Sequence, residues 1–242
     1  MLSELYAFTF QVLPWITYVV FSISMILKIA EWLSGAWVEE ANETKIGLLK
    51  VSKLSILNLV FQRKMFKKKA SSIAFWLTSL ALFHIPIAFV LFGHLRSLNM
   101  WSVEWFTALA PRDFLVNTLP TTLGLVAMIG VLFLMIRRVS STASRSISVP
   151  SDYIFLLLMF AIITTGNLMR LSHHVAAPFI TTIPPGLTIT FEKTPSLEFL
   201  VLHAFLVQLS VMYLPFSNFI HVISSVITTV IYAIRRVKLE SK

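Results

Sequence analysis

Four of the six histidines in this chain lie in long apolar runs, where ionisable side chains are unexpected. His84 and His94 are ten residues apart in FHIPIAFVLFGH, and His203 and His221 are eighteen apart in LHAFLVQLSVMYLPFSNFIH. An ionisable group inside a bilayer is costly and usually marks a functional site. Neutral imidazole is a good ligand for iron and other transition metals. The two pairs therefore predict two metal centres stacked across a membrane, with bis-histidine haem as the leading candidate.

The composition indicates an integral membrane protein that forms a single domain over residues 1–242. The chain is 57% hydrophobic and 13% charged, whereas a soluble domain carries about 25% charged residues. It contains no cysteine. This excludes a cysteine-ligated iron–sulfur cluster and a covalently attached haem within this chain, so a soluble electron partner would be another subunit.

The apolar runs predict an all-α fold, a five-helix transmembrane bundle. Each is long enough to cross a hydrocarbon core of about 30 Å as a helix, and the fifth is longer than one span requires. Pro215 lies within the fifth run and is expected to kink its helix. The runs are Tyr6–Leu27, Ala70–Gly93, Phe114–Ile136, Tyr153–Met169 and Phe199–Ile234.

The distribution of Lys and Arg predicts that the N-terminus lies outside and the C-terminus in the cytoplasm. Basic residues cluster after the first, third and fifth runs, as the positive-inside rule requires, and the net charge is +9. This rule accounts for the charge without nucleic-acid binding. The basic segment at about 35–69 is expected on the cytoplasmic face of the cell membrane. Within it, Gly47–Lys69 is interpreted either as an amphipathic helix that packs on the membrane surface or as a docking surface for a soluble partner.

The topology pairs the histidines by depth. The second and fifth helices run antiparallel, so His84 is expected opposite His221 near the cytoplasm, and His94 opposite His203 near the outside. Eighteen residues are five helical turns, which would place His203 and His221 on one face. The two spacings correspond to about 15 Å and about 27 Å of helix, and that mismatch requires tilt or a kink.

Several neighbouring residues have two open interpretations. Gly93 and Ala204 leave room for a flat macrocycle beside a histidine, or they serve ordinary helix packing. Arg96 and Arg137 either meet haem propionates or extend to the interface, and the second interpretation is favoured. His173 and His174, near the outer end of the fourth helix, are interpreted as loop or interfacial residues.

The histidine segments resemble those of the gamma subunit of respiratory nitrate reductase, a dihaem cytochrome b family. Both spacings and the LPFSNFIH ending are similar, as is RRVSSTASRSISVPSDYIFLLL (137–158), and the likeness runs from about Ala70 to His221. The resemblance implies two noncovalent haem b groups held by the pairs above. It also implies a site for menaquinol or an analogue beside His94, with Gly93. The family's lysine at that site has no clear counterpart, and Arg112 is the nearest basic residue.

The favoured hypothesis is a membrane-anchor subunit of a multi-subunit respiratory oxidoreductase. It would pass electrons from quinol through both haems to an iron–sulfur subunit on the cytoplasmic face. The resemblance extends to nitrate reductase-like, heterodisulfide reductase-like and sulfite-reduction-associated complexes. Three alternatives remain: the same fold running toward quinone reduction, a haem-free transporter that uses the histidines as a proton relay, and a purely structural anchor.

Overall fold

The computed structural model describes residues 2–37, 77–146, 148–172, 174–217 and 220. Within these residues the chain is mostly helical, and five helical segments are long and apolar enough to cross a membrane. This confirms the expected five-helix membrane architecture, whereas the orientation of the termini stays a prediction. The candidate spans are Leu2–Trp32, Ser79–Ser97, Phe114–Ser140, Pro150–Leu171 and Leu197–Phe216.

Three of the spans combine an α-helix with a wider π-helical turn. The described α-helices are α1 (Leu2–Ala7), α2 (Leu13–Trp37), α3 (Ile85–Ser97), α4 (Leu119–Ser140), α5 (Thr142–Ser146), α6 (Pro150–Leu171) and α7 (Leu197–Tyr213). The π-helical turns Phe8–Val12, Leu77–His84 and Phe114–Thr118 immediately precede α2, α3 and α4, respectively. Short 3-10 helices cover Val103–Phe106 and Leu214–Phe216, and the two strands are β1 (Phe179–Ile183) and β2 (Leu187–Phe191).

The helices pack in the order α3, α4, α6, α7 and α2. Helix α4 contacts α3 and the π-helical turn Leu77–His84 that precedes α3. Helix α6 contacts both α4 and α7, and α2 contacts α7. One buried cluster lies among the second, third and fourth spans and comprises Phe83, Ala127, Val131, Leu156 and Ile163. A second cluster joins the first span, β1 and α7 and comprises Phe10, Phe179, Leu200 and Val201.

Large apolar side chains remain exposed along the spans. Trp15 and Leu27 on α2 are 60% and 66% exposed, and Ile136 on α4 is 60% exposed. In water such a surface would be unfavourable, but lipid tails are as apolar as these side chains. The outer faces of the helices are therefore suited to contact with lipid.

A glycine allows the second and third spans to approach closely. A Cβ added at Gly130 of α4 would lie 2.3 Å from the backbone oxygen of Leu82. Four residues after Leu82, Pro86 lacks the N–H that would continue the α-helical bonding pattern. The interrupted backbone before α3 thus packs directly against the glycine surface of α4.

A two-stranded hairpin connects the fourth and fifth spans, which the all-α prediction did not include. Strands β1 and β2 pair antiparallel, with Phe179 opposite Phe191 and Ile183 opposite Leu187. The turn contains Gly186 at φ 116°, a conformation that side chains with a Cβ rarely adopt. The alternation in GLTITF and the turn residues in IPPG are the sequence signals for this hairpin, and neither belongs to a long apolar run.

The fifth span differs from the single kinked helix that was expected. Helix α7 ends at Tyr213, Pro215 lies in a 3-10 turn, and Ser217 has extended backbone angles of φ −107° and ψ 157°. A proline removes a helical hydrogen bond and clashes with the preceding turn, so a break at this point is physically reasonable. The helix is not continuous from His203 to His221, and the five-turn argument for their shared face is wrong. His221 itself and the basic segment 35–69, apart from its first residues, lie outside the described residues.

Candidate metal centre

His94 lies in the last turn of α3, and its orientation is fixed by its own helix. Its Nδ1 is 2.7 Å from the backbone oxygen of Val90, four residues earlier. A carbonyl oxygen can only accept a hydrogen bond, so Nδ1 carries the proton and donates it. In a neutral imidazole this leaves Nε2 unprotonated, the state required of a metal ligand.

His203 on α7 has the same tautomer, fixed by the neighbouring helix α6. Its Nδ1 is 3.0 Å from the backbone oxygen of Ile162 and 3.2 Å from the hydroxyl of Thr165. The Thr165 hydroxyl is also 2.9 Å from the backbone oxygen of Ala161, to which it donates. The hydroxyl oxygen can then accept from His203, so both contacts favour a proton on Nδ1.

The structure brings these two predicted partners together. Their ring centroids are 6.2 Å apart and their planes differ by 17°. A metal–imidazole bond is about 2 Å, and a ring centre lies about 1 Å beyond the bonded nitrogen, so two axial imidazoles on one metal have centroids about 6 Å apart. The centroid separation and the shared tautomer therefore meet two of the requirements for one metal held by His94 and His203.

This pair supplies only two ligands. Within the described ranges, no group of three or more His, Cys, Asp or Glu side chains is positioned to hold a metal ion. A bare transition metal ordinarily takes four or more ligands. A haem brings four nitrogen ligands of its own and needs only the two axial positions, so it suits the residues present better than a bare ion.

Gly166 of α6 provides the space for the His203 ring, and sequence reasoning missed it. A Cβ at this position would lie 3.1 Å from Cε1 and 3.4 Å from Nδ1 of His203. The sequence signal was the polar and small stretch TTGN inside an otherwise apolar helix. Gly93 and Ala204 adjoin histidines in the chain, whereas Gly166 lies on another helix and meets His203 only through helix packing.

His84 ends the π-helical turn Leu77–His84, and its ring, like those of His94 and His203, is oriented by a hydrogen bond from Nδ1 to a backbone oxygen. Its Nδ1 is 2.8 Å from the backbone oxygen of Ser79, so this nitrogen is the donor and Nε2 is unprotonated. The ring of Phe83 lies edge-on to it with a centroid separation of 5.1 Å. π-helical turns occur frequently at functional sites. The expected partner, His221, lies outside the described residues, so the His84–His221 pair stays a prediction.

The residues predicted beside a quinol site are placed differently from one another. Gly93 has open space where a side chain would project, because no atom of the described part of the chain lies within 4 Å of an added Cβ. Arg112 lies in an exposed ion-pair network, 2.8 Å from Glu192 and 3.5 Å from Glu104. Glu192 also pairs with Arg96 at 2.7 Å. Arg112 thus faces two carboxylates at the base of the hairpin.

These contacts shift the ionisation of the groups in the network. The hydrogen bond from Arg112, together with the charges of both arginines, lowers the pKa of Glu192 below its ordinary value. The same contact raises the pKa of Arg112. A hydrogen bond from Ser102 is the main cause of the lowered pKa of Glu104. The contacts of Arg112 thus favour the charged forms of Arg112, Glu192 and Glu104, and the ion pairs form an electrostatic clamp between the hairpin and the neighbouring segments.

The remaining candidates have other surroundings. Ala204 packs against the cluster that joins the first span, β1 and α7. Arg137 is exposed near the end of α4, and His174 is exposed in the loop after α6. His173 lies outside the described residues.

Comparison with known proteins identifies relatives of this chain. The model of the family described as nitrate reductase gamma subunit matches residues 68–239. Among curated proteins, the chain is 23% identical over 256 residues to an Hdr-like menaquinol oxidoreductase cytochrome b-like subunit of Archaeoglobus profundus. That alignment covers 88% of this chain and 75% of the relative.

Proposed function

This chain belongs to the nitrate reductase gamma subunit family, and on that premise we propose that it is the dihaem cytochrome b subunit of a membrane-bound menaquinol oxidoreductase complex. The printed name of the A. profundus relative supports the cytochrome b-like character and the menaquinol substrate. The five apolar spans support a location in the cytoplasmic membrane. The chain thus connects the quinol pool to soluble partner subunits.

The observation that carries this proposal is the geometry of His94 and His203. Their Nδ1 atoms donate to backbone carbonyls, and their rings are 6.2 Å apart and nearly parallel. When bound, haem would supply the one-electron redox chemistry. The chain holds the group by two imidazoles, fixes their tautomer and surrounds them with apolar helices, and these features tune its potential.

Quinol is proposed to bind beside His94, where Gly93 leaves open space. A second haem between His84 and His221 would extend the path toward the other side of the membrane. The electrons then leave to an iron–sulfur subunit docked on the basic cytoplasmic segment at about 35–69. Quinol oxidation is the favoured direction, because menaquinol is the substrate in the relative's printed name.

Haem content and quinol-driven reduction test this proposal. We expect two haem b per chain in the complex purified with its partner subunits, and reduction of this haem by a menaquinol analogue. His94→Ala should remove one of the two haems and abolish reduction by quinol. His174→Ala is the matched control, because His174 is exposed in a loop, and it should retain both haems. A parent complex without haem b, or a His94→Ala variant with full haem content, would contradict the proposal.

A further inference from the structure

Arg170 lies one helical turn beyond the glycine that receives the His203 ring. Gly166 of α6 faces His203, with an added Cβ only 3.1 Å from its Cε1. Four residues along an α-helix correspond to about 6 Å of rise and about 40° of rotation, so residues four apart share a face. Arg170 therefore extends from the same side of α6 as the His203 contact, near the end of that helix.

The charge of Arg170 reaches both members of the histidine pair. Its guanidinium interacts electrostatically with His94, with His203 and with Arg96. These residues lie on three different helices or their ends, so Arg170 is located where α3, α6 and α7 converge. The positive charge thus extends from the side of α6 that contacts the His203 ring.

Arg170 differs from its neighbour Arg96 in having no counter-ion among the described residues. Arg96 is paired with Glu192 at 2.7 Å. Arg170 is partly buried, and no carboxylate among the described residues forms an ion pair with it. Removing a guanidinium from water is costly unless an anion compensates for it. The position calls for an anionic partner that does not come from the described part of the chain.

We propose that Arg170 binds a propionate carboxylate of the haem held between His94 and His203. This inference rests on the proposed function. A haem b held by the two imidazoles would bring two propionate carboxylates, and a guanidinium can bind a carboxylate through two parallel hydrogen bonds. Arg170 would then orient the bound haem, which two histidine ligands alone would leave free to rotate.

The contact also affects the electron affinity of the iron. A positive charge near the haem favours the reduced state, because reduction adds a negative charge. Removing that charge should therefore lower the midpoint potential of this haem. The other proposed haem, near His84, should be little affected because it lies farther away along the spans.

Redox titration of the purified complex tests this inference. The His94→Ala variant identifies which of the two haem potentials belongs to the His94–His203 pair. We expect Arg170→Gln to shift that potential downward and leave the other unchanged, while Arg170→Lys, which keeps the charge, shifts it less. Arg145→Gln is the matched control for the loss of one positive charge. Arg145 is exposed in α5, which precedes the start of α6, whereas Arg170 lies near the end of α6. This control should leave both potentials unchanged.

The possible results separate this inference from the proposed function. Loss of only the haem between His94 and His203 in Arg170→Gln, with retention in Arg170→Lys, also supports the contact. Two unchanged potentials in Arg170→Gln, or equal shifts of both, overturn the inference. They leave the proposed function intact, because that fails only if the parent complex lacks haem b or if His94→Ala retains both haems.

Discussion

At the scale of single residues, the centre depends on side chains that differ in how visible they are in the sequence. The histidines stood out because an imidazole in an apolar run is costly. Gly166 and Thr165 contact the His203 ring from a different helix, and no local pattern connects them to it. A residue that makes space for a ligand on another element can be found only once the packing of the two elements is known.

Gly166 provides a prediction at this scale. Gly166→Val would place its Cβ about 3 Å from the His203 ring, so the ring must move out of line with His94. We expect this variant to lose the haem of that pair and to retain the other. The haem content per chain and the low-spin haem signal in electron paramagnetic resonance measure the outcome.

Gly93→Ala is the matched glycine control for this variant. An added Cβ at Gly93 meets no atom within 4 Å, so haem content should stay at the parent level. Because Gly93 is proposed to border the quinol site, this control is compared by haem content and not by activity. Full haem content in Gly166→Val would show that the ring does not need this position.

At the scale of elements, α4 and α6 form the support against which the histidine-bearing segments are positioned. Helix α4 packs against the π-helical turn that ends at His84, and α6 packs against α7, which carries His203. Asp152 at the start of α6 is 1% exposed and pairs with Arg138 of α4, which connects the two supports at their other end. The helices that carry no predicted ligand thus determine where the ligands lie.

Gly130 provides the prediction for this scale. Gly130→Leu would force α4 away from the backbone oxygen of Leu82, because even a Cβ would lie 2.3 Å from that atom. Overpacking of this kind typically costs about 1–3 kcal/mol. We expect a lower temperature of thermal unfolding in detergent and a changed absorbance of the haem assigned to His84.

Ile129→Ala is the control on the same helix. Ile129 neighbours Gly130 in the chain but is 45% exposed on the lipid-facing side, so its truncation should change the unfolding temperature little. If both variants unfold at the parent temperature, the close contact between α4 and the second span does not contribute to stability.

At the scale of the whole molecule, the hairpin forms ion pairs with segments that are distant from it in the sequence. Glu192 lies just after β2. It pairs with Arg96, two residues after His94 in the second span, and with Arg112, which precedes the third span. Glu192 is 58% exposed, so solvent screens these pairs and limits their contribution to within about 1 kcal/mol. The network holds the connecting segments together at the end of the bundle where His94 and His203 meet.

The pH dependence of this clamp can be predicted. The pKa of Glu192 in the folded protein is below its ordinary value, chiefly because Arg112 donates a hydrogen bond to it. Its stabilising contribution is therefore present above the unfolded pKa of about 4.5 and is lost as the pH falls through the lower folded pKa. Glu192→Gln should unfold at a lower temperature than the parent at neutral pH, and the difference should shrink as the pH falls below the unfolded pKa and be lost below the folded pKa.

Salt gives a second measurement of the same contribution. Because the pairs are exposed, about 1 M salt should reduce the difference between Glu192→Gln and the parent at neutral pH. Lys193→Gln is the neighbouring control and removes a charge for which no ion pair occurs among the described residues. A difference that persists at low pH and high salt would mean that Glu192 acts through packing and not through charge.

The sequence predicted the membrane architecture because long apolar runs have few alternatives to a spanning helix. It also predicted that His94 and His203 meet, since antiparallel helices match by depth. The helix break at Leu214–Ser217 was not predicted, because a proline in an apolar run is compatible with a kink or with termination, and packing decides between them. The hairpin was missed because its two strands are only five residues each and lack a continuous apolar run.

The hydrogen bonds from His84, His94 and His203 to backbone oxygens have a consequence for mutational robustness. Their acceptors belong to Ser79, Val90 and Ile162, and they persist whatever side chain those positions carry. Replacing Val90 or Ile162 with alanine would therefore keep the hydrogen bond to the histidine. Other substitutions at these two positions would also leave the imidazole orientation unchanged. The orientation of the imidazoles depends on the positions of these backbone oxygens. Relatives that share the backbone conformation can therefore keep this orientation with little side-chain identity around their histidines.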